Sequence, residues 1–414
     1  MRRIFQLTFL FFFIIATDLL PQWTGVTSPT SDRLRKVQFL NNDLGWIAGE
    51  SSVLKTTDGG TTWTSFTTNI SDTRGFFAVS ATTAFICGTF GKISKTTDGG
   101  ATWVAQTTGA PNLTSIEAIY FHNENNGWAV GTDGFMIKTV NGGVSWQTVT
   151  TTATSSLRSI KFLDSNTGWA GGGTDFLRTT DGGVTWTKIN GFASVRDIHF
   201  LDANRGFVSE TWGQDNFVQK TTDGGVTWTQ STTISTGPYY FHGVYFTDAN
   251  TGYVVGRTMF FLGNYGAYKT TDGGTTWTAL TASPVPMFEN FRSVTFTPNG
   301  TGWAVGDNGA IYKLTGATSV AEEGGSPVDF TLNQNYPNPF NPETVIRFAL
   351  PVAGNVTLTV YNSLGEVVAT LVDQFVEAGA HKVEFNAVNL PSGMYIYKLN
   401  AGNFTSVKKM LLLK

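Results

Sequence analysis

Cysteine is nearly absent from this chain. The single copy, Cys87, excludes an intramolecular disulfide and any cysteine-rich zinc site. Histidine is almost as scarce, four in 414 residues, which leaves little material for a histidine-based metal centre. No metal and no cofactor is therefore expected. Charge is thin too: 14% of residues are Asp, Glu, Lys or Arg, against about 25% in an ordinary soluble domain. The 27 basic and 30 acidic residues give a formal net charge of -3, without the basic excess of a nucleic-acid binder. What the chain does have is glycine, 47 copies, and phenylalanine, 32 copies. That mixture points to many short strands and tight turns rather than long surface helices. The length points to roughly two or three domains.

The N-terminus reads as an export signal. Met1-Arg2-Arg3 is basic, and Ile4 to Ala16 is almost purely apolar, the layout of a secretory signal peptide. The apolar run is 13 residues, short of the roughly 20 that span a bilayer. Cleavage is expected near Ala16 to Leu20. The alternative is a short membrane anchor.

A repeat organises the region that follows. T-T-D-G-G-x-T-W or a close variant recurs at Asp58, Asp98, Asn141, Asp181, Asp223 and Asp272, at spacings of 40, 43, 40, 42 and 49 residues. A glycine-aromatic pair, Ala84-Phe85 in the second unit, precedes each copy, and a seventh pair, Gly302-Trp303, stands without an Asp motif. Four short strands per unit at this period are the mark of propeller blades. The seventh unit, Phe291 to Leu314, has three strands, and Gln22-Trp23-Thr24 resembles the missing fourth. The Trp23 strand is expected to complete blade seven and clasp the ring. The glycines suit a turn that needs positive φ, the Asp carboxylate can lock that turn, and the Trp can pack against a neighbour. Six near-equal copies argue against a catalytic or calcium-binding role.

Aligning the units places Arg35, Arg74, Glu117, Arg158, Arg196, His242 and Arg292 at the start of the innermost strands. Seven-fold placement brings them to one mouth of the central channel. Gathered arginines repel unless an anion or carboxylates neutralise them. The competing expectation is local pairing with acids such as Asp164, Asp197 or Asp202. The segment between the glycine-aromatic pair and the Asp motif is longer in units five and six, 16 and 19 residues instead of 12 or 13. The extra residues, around Trp212 and Tyr265, read as loops on the arginine side. The candidate ligand-binding residues are Arg35, Arg74, Arg158, Arg196, His242, Arg292, Trp212 and Tyr265. The histidines of the repeat region, His122, His199 and His242, read as core or channel-lining. No G-x-S-x-G motif is present.

The C-terminal region differs. Ser319 to Pro327 breaks the repeat and reads as a linker. Alternating strands follow at Val345–Leu350, Val356–Asn362, His381–Phe385 and Gly393–Leu399, with a last strand from Lys408 to Lys414, which suggests a small β-sandwich.

Two resemblances rest on these motifs. The Asp turns resemble the Asp-box (BNR) repeats of sialidases and related propellers. Seven units with R-x-I-x-F first strands and G-W-x-x-G second strands more specifically resemble the photosystem II assembly/stability-factor propellers, a family that carries an arginine-rich patch. The photosystem role itself is not carried over. Sialidase chemistry would need a singular arginine triad and a Tyr/Glu pair, which the repeat-equivalent arginines here do not match. N-Y-P-N-P-F-N-P-E-T, V-Y-N-S-L-G and L-P-S-G-M-Y resemble the type A C-terminal sorting domain of the type IX (Por) secretion system. The resemblance implies passage across the outer membrane by the type IX machinery, handled through residues 328–414. The expectation is an all-β chain, a seven-bladed β-propeller followed by an Ig-like β-sandwich. Its expected divisions are a signal peptide at 1–20, propeller at 21–318, linker at 319–327 and sorting domain at 328–414. The expected function is a secreted or surface-held, non-catalytic scaffold binding a protein or an anionic glycan, with no nucleic-acid partner and with membrane contact only through export or surface anchoring. The alternative is a glycan hydrolase or glycan-binding module of the sialidase-like superfamily.

Overall fold

Short strands dominate the computed structural model, which describes residues 22–111, 113–212, 215–236, 240–257, 266–280, 290–315, 330–335, 338–377, 379–402 and 404–413. The expected signal peptide and linker lie outside them. The chain falls into two units, Met1–Ala317 and Thr318–Lys414. Among the described residues the only helical turns are Thr132–Gly134 and Asp307–Gly309, and no helix is long and apolar enough to cross a membrane.

The first unit is a seven-bladed propeller, one antiparallel sheet per blade. In blade 1 the strands run Leu34–Phe39, Gly45–Gly49, Ser52–Thr56 and Thr64–Thr67 from the axis outward. The other inner strands are Thr73–Ala78, Ile116–Phe121, Ser159–Phe162, Val195–Phe200, Tyr240–Phe246 and Phe291–Phe296. The five-residue G-W-x-x-G stretch of each second strand is buried because it lies between two blades, so it reads as a continuous apolar run. Blade 7 is completed by Gln22–Val26, which pairs antiparallel with Ile311–Thr315, Trp23 opposite Leu314. The first strand of the chain therefore covers the edge that the last would expose.

Aromatic stacking joins the blades. The second-strand aromatic of one blade lies on the last inner-strand Phe of the next: Phe85 on Phe121 at 3.9 Å, Trp128 on Phe162 at 3.9 Å, Trp169 on Phe200 at 3.8 Å and Phe207 on Phe246 at 3.4 Å. Such pairs contribute about 0.5–1.5 kcal/mol each beyond their buried area. The Asp-box Trp meets the same Phe edge-on, as Trp186 does Phe162. A basic residue three positions before each box adds a second tie. Lys138 lies 5.1 Å from the Trp128 ring centroid and donates to the Gly182 carbonyl of the next blade at 2.7 Å. Lys95 does the same with Phe85 and Gly142.

The boxes are self-locked turns. The Asp58 carboxylate accepts the Thr56 hydroxyl at 2.7 Å, the Thr62 N–H at 3.0 Å and the Thr62 hydroxyl at 2.6 Å. These bonds, the Thr62 hydroxyl foremost, hold Asp58 at about 2, and Asp98, Asp181, Asp223 and Asp272 are likewise held at about 2. In blade 3 Asn141 accepts the Ser145 N–H and donates to the Ser145 hydroxyl, so the lock survives without a charge. The second box glycine is a packing requirement: Gly60 has φ +78°, and a Cβ there would clash with the Trp303 ring of blade 7.

The second unit is a sandwich of two sheets, Thr331–Leu332, Glu343–Leu350 and Gly379–Asn386 in one, and Val367–Val376, Gly354–Tyr361, Gly393–Ala401 and Phe404–Leu412 in the other. Its own core includes Ile346, Phe348, Leu358, Tyr397 and Leu412. Two strand expectations are corrected here. Val367–Val376 is an additional strand, and the last strand begins at Phe404, not Lys408.

Candidate ligand-binding face

The inner strands begin on the face opposite the Asp boxes, and a backbone irregularity fixes what they present there. Pairing of the first and second strands skips one residue between Leu34 and Lys36, Thr73 and Gly75, Ile116 and Ala118, Val195 and Asp197, Phe241 and Gly243, and Phe291 and Ser293. The skipped residues are Arg35, Arg74, Glu117, Arg196, His242 and Arg292. Each is the extra residue of a β-bulge, a device that re-aims a side chain. In blade 4 regular pairing starts at Ser159, directly after Arg158, whose N–H donates to the Gly171 carbonyl at 2.7 Å. The aligned ring residues thus occupy one structural position, half-buried at the channel mouth.

The ring is electrostatically divided. Through blades 7, 1, 2 and 3, charges alternate. Arg292 grips Asp307 with two nitrogens at 2.6 and 3.2 Å. Arg33 bridges Asp307 at 3.2 Å and Glu50 at 2.8 Å, and Arg35 bridges Glu50 at 2.9 Å and Asp72 at 3.0 Å. Arg74 holds Asp72 at 2.8 Å and approaches Glu117 at 3.9 Å. This arc neutralises itself.

Blades 4, 5 and 6 are different. Among the described residues no carboxylate lies within ion-pair distance of Arg158 or Arg196. The Arg196 guanidinium lies 4.9 Å from the Tyr240 ring centroid, and its Nε is buried without a hydrogen-bond partner. Burial, then the nearby Arg158 charge, pushes Arg196 down to about 10. Burial, followed by Arg292 and Arg196, pushes His242 down to about 3, so it is a neutral member of the ring. Where blades 1 and 7 place Glu50 and Asp307 after G-W-x-x-G, blade 6 places exposed Arg257.

The acids expected to pair with the ring do not. Asp164 caps its own turn through the N–H groups of Asn166 and Thr167, and Asp202 pairs with Arg205 at 2.6 Å. Asp197 faces Lys36 across the channel at 3.6 Å. The actual partners, Glu50, Asp72 and Asp307, sit in connecting turns. The signal was present for two of them, an acid directly after the second strand.

The insertion at Trp212 is corrected as well. It is not a loop but an extension of the hairpin, Gly206–Trp212 against Asp215–Thr221, with Ser235–Thr236 added alongside. The Trp212 side chain lies outside the described residues, as does Tyr265. Two neighbouring residues of this face escaped the sequence reading. Phe90, in the blade 2 turn, has φ +60° and is 64% exposed, where blades 3 and 7 use Asp133 and Asn308. Leu113, in the next connection, is 92% exposed, and the two loops are joined by Gly91 N–H donating to the Thr114 carbonyl at 2.6 Å.

Below the mouth, the seven inner strands enclose a cavity of about 210 Å³. His199 donates from Nε2 to the Phe246 carbonyl there at 3.2 Å, and burial pushes it down to about 3. Among the described residues no group of three His, Cys, Asp or Glu side chains is placed to hold a metal. Cys87 is buried, which pushes its thiol far up.

Comparison with known proteins adds family and fold. The sequence model of the Photosynthesis system II assembly factor YCF48 family matches residues 16–108, 69–153, 110–193 and 192–284. The model of the Secretion system C-terminal sorting domain matches residues 334–413. No curated protein matches. A solved structure described as YCF48 bound to D1 peptide is 21% identical, with a TM-score of 0.57 over 70% of this chain and 94% of that one. YCF48 from Cyanidioschyzon merolae is 22% identical, with a TM-score of 0.55 over 70% of this chain and 98% of that one. An ancestral GH74 enzyme is 15% identical, with a TM-score of 0.53 over 94% of this chain and 63% of that one. At these identities the structures speak to the fold alone.

Proposed function

This chain belongs to the Photosynthesis system II assembly factor YCF48 family, and from that premise we propose that its propeller is a non-catalytic binding or assembly scaffold whose Arg158–Arg196 arc receives an anionic segment of a protein partner. The sorting domain at 334–413 marks the chain for type IX secretion, to the medium or the cell surface. We further propose a signal peptide at 1–20 that opens the route, a propeller at 21–318, a linker at 319–327, and recognition of 328–414 by the secretion machinery.

One observation carries the reading, the uneven ring. Cations in a partly desolvated concave mouth are costly unless neutralised. Blades 7, 1, 2 and 3 neutralise theirs internally, whereas Arg158 and Arg196 have no carboxylate among the described residues. A ligand carboxylate can take the place that Asp307 takes for Arg292, with the bidentate geometry that guanidinium favours. A relative solved with a bound peptide supports a peptide over a sugar as the partner.

The second reading, glycan hydrolysis, is favoured by the likeness to the GH74 enzyme. A glycosidase needs two carboxyl groups facing one cleft, one of them protonated near neutral pH. At this mouth burial raises Asp307, but Arg292, Asn290 and Arg33 together hold it below its usual value, and Asp72 is clamped by two arginines. Asp307 is therefore a poor proton donor.

The two readings separate on the purified full chain. Thermal stabilisation by polyglutamate, weakened by salt and without hydrolysis of any β-glucan offered, supports the scaffold. Turnover of a glycan, lost on changing a mouth carboxylate, supports the enzyme.

A further inference from the structure

Beneath the mouth, long polar side chains on the inner strands form a girdle around the channel. Each reaches the carbonyl that ends the next blade's inner strand. Gln38 donates to the Ala78 carbonyl at 3.0 Å, Tyr120 to Phe162 at 2.9 Å and His199 to Phe246 at 3.2 Å. Tyr245 reaches Phe296 at 3.5 Å. Lys161 holds the same position in blade 4 and makes no such bond among the described residues. Its ammonium lies 5.4 Å from the Tyr120 ring centroid.

The charges around this cavity do not cancel. Lys36, Lys161 and Asp197 line it, and His199 is neutral. Asp197 is already engaged: Lys36 sits at 3.6 Å, the Ser159 hydroxyl donates at 3.3 Å and the Val244 N–H at 3.2 Å. One positive charge is left over inside the protein, and the mouth above adds more of the same sign. An unpaired, half-buried cation carries a solvation cost, and a counter-charge recovers part of it. The cavity, about 210 Å³, has room for a tetrahedral oxyanion with some water.

We propose that the central channel is a binding site for a small free oxyanion, held by the Lys161 ammonium with Lys36 beside it. The site is distinct from the Arg158–Arg196 arc and does not depend on what that arc binds. Burial depresses the Lys161 ammonium, Asp197 opposes that and Lys36 adds to it, and an anion beside it favours the charged form.

The test is a sulfate titration of the full chain, with ionic strength held constant by sodium chloride and unfolding followed thermally. A saturable rise of a few degrees in Tm is expected for the parent. K161M removes the charge at nearly constant volume. It is expected to fold, to be at least as stable as the parent without sulfate, and to lose the sulfate response. The R158A/R196A variant is expected to keep that response. Selenate-soaked crystals of the parent provide a readout that does not depend on any variant folding: an anomalous peak within hydrogen-bond distance of Lys161 Nζ is expected. Absence of a saturable shift, a response retained in K161M, or a selenate peak at the mouth alone would overturn the channel site.

Discussion

At the scale of single residues, the mouth and the channel are built from side chains held away from their ordinary preferences. Phe90 is the plainest case. A bulky residue at φ +60° costs about 1–2 kcal/mol, and Phe90 spends most of its surface in water. Replacing it with glycine removes the strain but frees the unfolded chain, so F90G is expected to gain about 0.5–1 kcal/mol in urea unfolding. A loss of stability instead would show that the ring packs where this structure leaves it exposed. The histidines set the pH response. His199 and His242 reject protons in the fold down to about 3, whereas unfolded histidine takes one below about 6.5. Their contribution is intact above about 6.5 and is lost as pH falls toward 3. The five box aspartates, held at about 2, add a second loss between about 4 and 2. Urea unfolding across pH is expected to show stability falling from about pH 6.5, and H199Q/H242Q is expected to flatten the upper part of that fall. A flat profile from pH 7 to 4 in the parent would contradict the buried, neutral histidines.

At the scale of elements, the repeat unit is legible because turn and strand chemistry are local. The box needs only Thr, Asp and two glycines within a few residues, and the clasp at Trp23 followed from counting strands. What escaped was the chemistry between blades. The basic residue three before each box looks like an ordinary surface charge in sequence. Its partners, an aromatic on its own blade and a carbonyl on the next, become neighbours only when the ring closes. K138M is expected to cost about 2–4 kcal/mol by chemical denaturation, the sum of one cation–π contact and one charge-assisted hydrogen bond. An unchanged midpoint would reduce that contact to decoration. The Trp212 insertion was misread because an extra hairpin turn and an extra loop have the same composition, and pairing is a long-range fact. Val367–Val376 was missed because it is a half-exposed edge strand whose apolar residues do not alternate cleanly. The ring position itself was found by alignment. Its division was not, because Glu50, Asp72 and Asp307 come from turns whose sequences do not announce which arginine they meet.

At the scale of the whole molecule, closure and charge distribution are the two organising facts. Closure depends on the strand Gln22–Val26, which supplies the outer edge of blade 7 and buries Trp23 against Phe291. A chain lacking residues 22–26 is expected to unfold at a Tm lower by ten degrees or more, roughly the effect of losing a core Trp and one strand of pairing. A propeller melting unchanged would mean the ring holds without its clasp. The charge distribution carries the functional account. One arc of the mouth is satisfied by the protein's own acids, and the other presents Arg158 and Arg196 to whatever arrives. The most direct measurement is the calorimetric affinity of the full chain for polyglutamate at low and moderate salt, for the parent, R158A/R196A and R35A/R292A. Salt-sensitive binding is expected that falls at least tenfold in R158A/R196A and stays within about threefold in R35A/R292A, because one bidentate arginine contact is worth roughly 1.5–3 kcal/mol. Equal losses in both variants, or no binding by the parent, would contradict a divided ring.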